Sequence, residues 1–200
     1  MFTGIITDVG TVESVVPEGA LKRMRISCAY PAQTIEIGAS IATGGPCLTV
    51  VARGSANGHS WYDVDVGAET LERTTAGAWR IGTRLNLERS LKIGDELGGH
   101  LVTGHIDGVA NIVSVEPFDG MSRFVLAAPA VLARFIAEKG SVTLDGTSLT
   151  VNSVDGKEFS VLLIPHTLSV TTWGARRAGD AVNLEVDLMA RYAARLAEAM

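Results

Sequence analysis

Ser40-Ile-Ala-Thr-Gly-Gly-Pro-Cys-Leu-Thr-Val50 and Ser141-Val-Thr-Leu-Asp-Gly-Thr-Ser-Leu-Thr-Val151 are two versions of one pattern. Each begins with Ser, passes through a glycine-bearing turn and ends on Leu-Thr-Val. The match extends outward on both sides. Met1 to Val15 aligns with Leu101 to Val115, Glu69 to Thr75 with His166 to Thr172, and Gly82 to Glu88 with Gly179 to Glu185. Order is kept and only loop lengths change. A period of about 100 residues is too long for a solenoid repeat and fits a duplicated domain.

Each half carries short runs rich in Val, Ile, Leu and Thr, broken by Gly, Asn or Asp. Gly10–Val16, Leu21–Cys28, Leu48–Ala52, Trp61–Val66 and Leu85–Glu88 read as strands. Several short strands at this spacing suggest a small closed barrel, so the expected class is all-β with short helices. Pro129–Lys139, followed by Gly140, has the signature of a helix, and Ala68–Thr75 has room for about two turns. Arg89–Gly99 is the linker. Asp187–Met200 has no counterpart after the first half; Leu188, Tyr192 and Leu196 recur every fourth residue and make an amphipathic helix. Such a stripe packs either on its own domain or on another subunit. The expected division is 1–96, 97–186 and a terminal helix over 187–200.

The 200 residues carry a net charge of −5 and a pI of about 5.4. That balance argues against a nucleic-acid binder and, more weakly, against docking on anionic membranes. No run approaches the roughly 20 apolar residues of a membrane-spanning helix. The opening residues lack the basic and apolar regions of a signal peptide. Cys28 and Cys47 make neither a disulfide framework nor a zinc site; both lie in apolar runs and read as buried free thiols, which fits a cytoplasmic protein.

The motifs carry a resemblance along almost the whole chain. Met-Phe-Thr-Gly-Ile at 1–5, Cys-Leu-Thr-Val at 47–50, Glu-Thr-Leu at 69–71, Asn-Leu-Glu-Arg at 86–89, Gly-Gly-His-Leu-Val-Thr-Gly-His-Ile-Asp-Gly at 98–108, Asp-Gly-Thr-Ser-Leu-Thr-Val at 145–151 and Ile-Pro-His-Thr-Leu at 164–168 together resemble riboflavin synthase of the α-chain type. The resemblance implies two six-stranded Greek-key barrels and a C-terminal helix, assembled as a homotrimer held by those helices. It implies conversion of two molecules of 6,7-dimethyl-8-ribityllumazine into riboflavin and a pyrimidinedione by transfer of a four-carbon unit, with no metal, flavin or nicotinamide required. The active site would lie between the N-barrel of one subunit and the C-barrel of its neighbour. Association with lumazine synthase is left open. A carrier of lumazine or riboflavin with the same fold is the alternative; it would be expected to lose pocket residues, which here are intact.

Carried over by position, the N-module pocket comprises Gly4, Ile5 and Ile6, then Cys47, Leu48 and Thr49, then Asp65, Val66, Gly67, Ala68, Glu69 and Thr70. The C-module pocket comprises Gly104, His105 and Ile106, then Ser148, Leu149 and Thr150, then Leu162, Leu163, Ile164, Pro165, His166 and Thr167, with Lys139 nearby. Small residues with open backbone groups suit the amide edge of a pterin-like ring, and hydroxyls suit its ring and ribityl oxygens. Phe2 and Thr3 would tuck into a core or over the ligand rather than fray.

Cys47 stands where the second half has Ser148, and His105 where the first has Ile5. These differences mark candidates for the chemistry. Cys47 is read as a hydrogen-bonding group, with a transient nucleophile at C7 as the sharper alternative. His105 is read as a proton-transfer or orienting group, and His100 as a structural residue bonding backbone at the junction. Their spacing, with no third ligand, does not make a metal site. By the resemblance, Ser40 would approach a lumazine C7 substituent and Asp187 would face the neighbouring subunit's site. The paired Asn86 and Asn183 satisfy backbone bonds on the plainest reading. One departure from the family pattern is Gly44-Gly-Pro-Cys47, where Asn-Gly-x-Cys is usual; the turn should survive, but an Asn side-chain contact is lost.

Overall fold

The structure, a computed structural model, describes residues 1–56 and 58–198. The first half forms β1 (Asp8–Glu18), β2 (Leu21–Cys28), β3 (Ser40–Thr43), β4 (Cys47–Ala56), β5 (His59–Val66) and β6 (Arg84–Arg89), with helix α1 (Ala68–Arg73) between the last two strands. The second half repeats this as β7 (Gly108–Phe118), β8 (Met121–Ala127), β9 (Ser141–Leu144), β10 (Thr147–Asp155), β11 (Glu158–Leu163) and β12 (Ala181–Val186), with α2 (Ala130–Ala133) and α3 (Pro165–Val170). Helix α4 (Leu188–Ala197) follows.

Both halves close into six-stranded antiparallel barrels of one strand order, β1-β2-β5-β4-β3-β6 and its equivalent. Closure needs sharply bent strands, and bulges supply them at matching places: Val12/Ser14 and Val50/Ala52 in the first barrel, Ile112/Ser114 and Val151/Ser153 in the second. Alternate residues fill each interior. Met24, Ile26, Tyr62, Val64 and Leu87 are wholly buried in one, and Leu126, Val142, Leu144, Val161 and Leu184 in the other. Each aliphatic side chain so placed contributes roughly 1.5–3 kcal/mol.

The helix expected over Pro129–Lys139 is shorter: α2 is a single turn. Beyond it, Phe135 and Ile136 are drawn onto the barrel core, and tighter turns replace the helical repeat. Lys139 ends this stretch at φ 64°, its amide on the Val151 carbonyl at 2.8 Å. The terminal helix matches expectation as far as it is described. Asp187 caps it by accepting from the Met189 amide at 2.8 Å; the final two residues of the expected span lie outside the described residues.

The barrels are stitched by the two asparagines of the Asn-Leu-Glu repeats. Asn86 donates to the Asp145 carbonyl at 3.0 Å and accepts from the Thr172 amide at 2.8 Å. Asn183 donates to the Gly44 carbonyl and accepts from the Thr75 amide, both at 2.7 Å. Each asparagine therefore satisfies backbone groups of the opposite barrel. The Gly44 turn does survive, at φ 60° against 45° for Asp145. What differs is the side chain: Asp145 pairs with Arg176 and accepts from the Asn183 amide at 2.8 Å, whereas the space beside Gly44 is filled by Trp79.

Candidate active site

Two buried glutamates organise the segments that precede β1 and β7. Glu88 accepts from the Thr3 amide and the Thr3 hydroxyl, both at 2.7 Å, and from the Gly4 amide at 2.8 Å. Glu185 accepts from the Thr103 amide at 2.8 Å, the Thr103 hydroxyl at 2.6 Å and the Gly104 amide at 2.8 Å. Burial pushes the Glu88 carboxyl above its ordinary range, while these donors pull it back. The glutamates were not anticipated as site residues; the signal was the joint repetition of Thr-Gly and Asn-Leu-Glu.

The Thr-Gly turns do not serve their own barrels. Gly4 accepts from the Ser148 amide of the second barrel, and Gly104 from the Cys47 amide of the first, each at 2.8 Å. Both glycines lie at positive φ, 77° and 73°. A Cβ on Gly4 would stand 2.5 Å from that of Ser148, and one on Gly104 2.6 Å from that of Cys47. Only glycine meets both conditions. This corrects the expected grouping. Gly104, His105 and Ile106 join Cys47, Glu69 and Thr70 around the N-barrel, whereas Gly4 joins Ser148 at the C-barrel. The physical reason is the exchange at the start of each module: Phe2 and Val102 pair as an antiparallel bridge, so each chain segment continues across to the other barrel.

The Cys47 side is a cleft of about 260 Å³ whose walls include Pro46, Cys47, Glu69, Thr70, Gly104, His105, Ile106, Asp107 and Arg191. Cys47 is not the buried thiol expected from its apolar run; it is half-exposed, while Cys28 is buried and its thiol is pushed up to about 11. His105 is exposed at the cleft, held through its amide by the Thr103 hydroxyl at 3.3 Å.

The Ser148 side has a different chemistry. His100 does not bond backbone through its ring, as expected; its Nδ1 lies 2.7 Å from the Ser148 hydroxyl and its Nε2 3.0 Å from the Thr143 hydroxyl. A neutral imidazole has one donor and one acceptor, so a single tautomer satisfies both neighbours. Burial holds His100 below the usual imidazole range, and the nearby Asp187 carboxylate opposes that shift. In the tautomer that carries its proton on Nε2, Nδ1 accepts from the Ser148 hydroxyl and can draw a proton through it. Asp187, besides capping the helix, is thereby placed near His100.

Comparison with known proteins fixes the family. A lumazine binding domain family model matches twice, over residues 3–90 and 103–187. The riboflavin synthase of Brucella abortus (strain 2308) is 58% identical over 201 residues, covering 99% of this chain and 98% of that protein. The chain belongs to the riboflavin synthase family. The riboflavin synthase of Mycobacterium bovis is 41% identical with 98% of each chain covered, and that of Photobacterium phosphoreum 40% identical, covering 98% of this chain and 88% of that one. The fold is also that of LumP, solved with 6,7-dimethyl-8-(1'-D-ribityl) lumazine; at a TM-score of 0.77 and 21% identity, the likeness covers 93% of this chain and 99% of that one.

Within this family member, the remaining anticipated residues differ in burial and contacts. The side chains of Leu48, Val66 and Leu163 are buried in the barrel cores. Phe2 is wholly buried in a small cluster with Ala42 and Val102, against which Cys47 packs. Thr49, Ala68, Thr150, Ile164, Pro165, His166 and Lys139 are exposed, and Ile6, Gly67, Leu149, Leu162 and Thr167 are half-buried. Ile5 is exposed. Asp65 is engaged outside the cleft by Arg23, at 2.9 Å through two bonds, which holds its carboxyl below the usual range. Ser40 stands on β3 opposite Thr49, half-buried and outside the Cys47 cleft.

Proposed function

We propose that this chain carries out the reaction its relatives are named for, turning two 6,7-dimethyl-8-ribityllumazine molecules into riboflavin and a pyrimidinedione by four-carbon transfer. The observation that carries the reading is the pair of quasi-equivalent crosswise junctions, Cys47 on Gly104 and Ser148 on Gly4, the first of which lines a cleft. Two copies of one pocket suit two copies of one substrate. Their differing polar groups suit the unequal parts that donor and acceptor play. Holding two reactants face to face can be worth on the order of 7–11 kcal/mol. The lumazine C7 methyl is acidic, so modest proton transfer suffices, and His100 beside Ser148 and His105 beside Cys47 are the groups assigned to it. Cys47 to Thr49 and Ser148 to Thr150 would hold the two rings, with Glu69 and His166 at the corresponding pocket rims.

The proposal extends to assembly. Helix α4 leaves Met189, Tyr192 and Leu196 exposed at 69%, 61% and 69%, a stripe suited to burial between subunits of a homotrimer. In that arrangement an N-barrel pocket of one chain would meet a C-barrel pocket of the next, with 1–96 and 97–186 as the lumazine-binding units. No helix among the described residues is long and apolar enough to cross a membrane; a cytoplasmic setting is proposed, and association with lumazine synthase, which makes the substrate, is open to co-sedimentation. The deciding experiment incubates cofactor-free protein with the lumazine and follows riboflavin absorbance, with light scattering for the trimer. Tight lumazine binding without riboflavin would make the protein a carrier.

A further inference from the structure

Helix α4 has no counterpart in the first half, yet it returns one side chain to a pocket. Arg191 lines the Cys47 cleft. Its Nη2 donates to Asp107 Oδ2 at 2.7 Å. Asp107 is itself fixed, because the same oxygen accepts from the Val186 amide at 2.9 Å and its own amide donates to the Leu184 carbonyl at 2.9 Å. The guanidinium is therefore tethered at one nitrogen to a rigid anchor. Its Nε is buried and has no hydrogen-bond partner. Buried polar atoms nearly always find partners, so this Nε–H is a donor still to be satisfied on a residue that lines the cleft.

The other charged groups of this cleft do not supply that acceptor. Glu69 pairs with Arg73 at 3.1 Å on the exposed rim, and His105 is exposed. At the Ser148 side, the positions matching Arg73, His105 and Asp107 are Val170, Ile5 and Thr7, and no helix follows β6 to bring an arginine. Among the described residues Arg191 thus has no counterpart on the Ser148 side.

We propose that Arg191 is a substrate-binding residue of the Cys47-side pocket, donating from Nε to an oxygen of the bound lumazine or flavin, and that it makes the two pockets of the chain unequal in affinity for the same molecule. The inference rests on the lumazine-processing reading, but its test does not require turnover. Riboflavin is titrated by its fluorescence into the full-length protein and into Arg191→Lys and Arg191→Met, with assembly state and melting temperature followed in parallel. Lysine keeps a charge for Asp107 but has no Nε–H. The wild-type protein should show two affinity classes. Arg191→Lys should weaken one of them about tenfold, the effect of losing one hydrogen bond from a charged donor, and leave the other unchanged with assembly intact. In steady state, KM for lumazine should rise with kcat changed far less. Repeating the titration with a lumazine lacking the ribityl chain separates the two acceptors: a persisting effect places the oxygen on the ring, a vanished one on the chain. Wild-type behaviour of Arg191→Lys alongside a failing Arg191→Met would reduce Arg191 to an anchor for α4 and overturn the proposal, as would a single affinity class in the wild type. Failure of the wild type to make riboflavin would instead sink the functional reading while leaving the binding result to stand.

Discussion

The Cys47 amide donates to the Gly104 carbonyl at 2.8 Å, so the residue that most distinguishes the first barrel is positioned by the second. The Ser148 amide and Gly4 carbonyl repeat the relation in reverse. Each module's Cys47 or Ser148 strand is held by the Thr-Gly turn of the other module. The duplication is therefore a reciprocal exchange and not a string of two independent units.

That exchange makes Gly104 sensitive in a way its sequence does not announce. Gly104→Ala must adopt positive φ and overlap Cys47; Gly156→Ala shares the backbone demand, at φ 59°, with open space around it. The φ term alone costs roughly 1–2 kcal/mol. Urea denaturation should therefore show a loss near that size for Gly156→Ala and a clearly larger one for Gly104→Ala, with riboflavin formation falling at least about tenfold only in the latter. Equal losses would mean that the backbone relaxes and the close approach is unimportant.

Glu185 has three donors on two carboxylate oxygens. Glutamine keeps one acceptor oxygen and turns an amide NH2 toward another donor. Charge-assisted bonds of this type are worth roughly 1.5–3 kcal/mol each. Glu185→Gln should lower stability by at least about 2 kcal/mol, and Glu88→Gln by a similar amount, because the two sites share one geometry. A melting-temperature series on both variants checks this; a neutral Glu185→Gln would show that the carboxylate does not hold the Thr103-Gly104 turn.

His100 predicts a dependence on pH. Its folded-state pKa is lowered, chiefly by burial. The unfolded chain therefore takes up a proton first as pH falls below the ordinary imidazole value of about 6.5. The stability this group contributes is present above that value and is lost as pH falls toward the folded-state value. The unfolding free energy of the wild type should decline over that acid window, and His100→Gln should flatten that part of the curve. If both proteins show the same slope, the ring is not the titrating element.

How much of this was legible beforehand depends on the kind of signal. The barrels were readable because alternation and matched turns recur at a fixed offset. The asparagine stitches were readable as duplicated polar residues, but not their destination in the opposite barrel. The crosswise pockets were hidden, because sequence alignment pairs Gly4 with Gly104 without saying which barrel each touches. The Pro129–Lys139 helix looked sound locally and lost to the burial of Phe135 and Ile136, a tertiary effect. Cys47 looked buried because its neighbours are apolar, although a strand exposes alternate residues and Leu48 is the one that faces inward.

The crossing also changes what the differences between the modules mean. Cys47 and His105 were two separate asymmetries, one per pocket; in the structure they share a cleft, while Ser148 keeps His100 and the segment with Ile5. Cys47→Ser should therefore slow turnover about tenfold or more while leaving lumazine binding largely intact, since serine fills the equivalent place at the other pocket. Positioned proton transfer commonly contributes 10²–10⁴-fold, so His105→Ala should lose on the order of 100-fold in kcat and one limb of the pH–rate profile. If the residues act as one unit, the double variant will be little slower than the worse single variant. Multiplying losses would instead separate them into independent roles, and a wild-type pH profile in His105→Ala would remove the imidazole from proton transfer altogether.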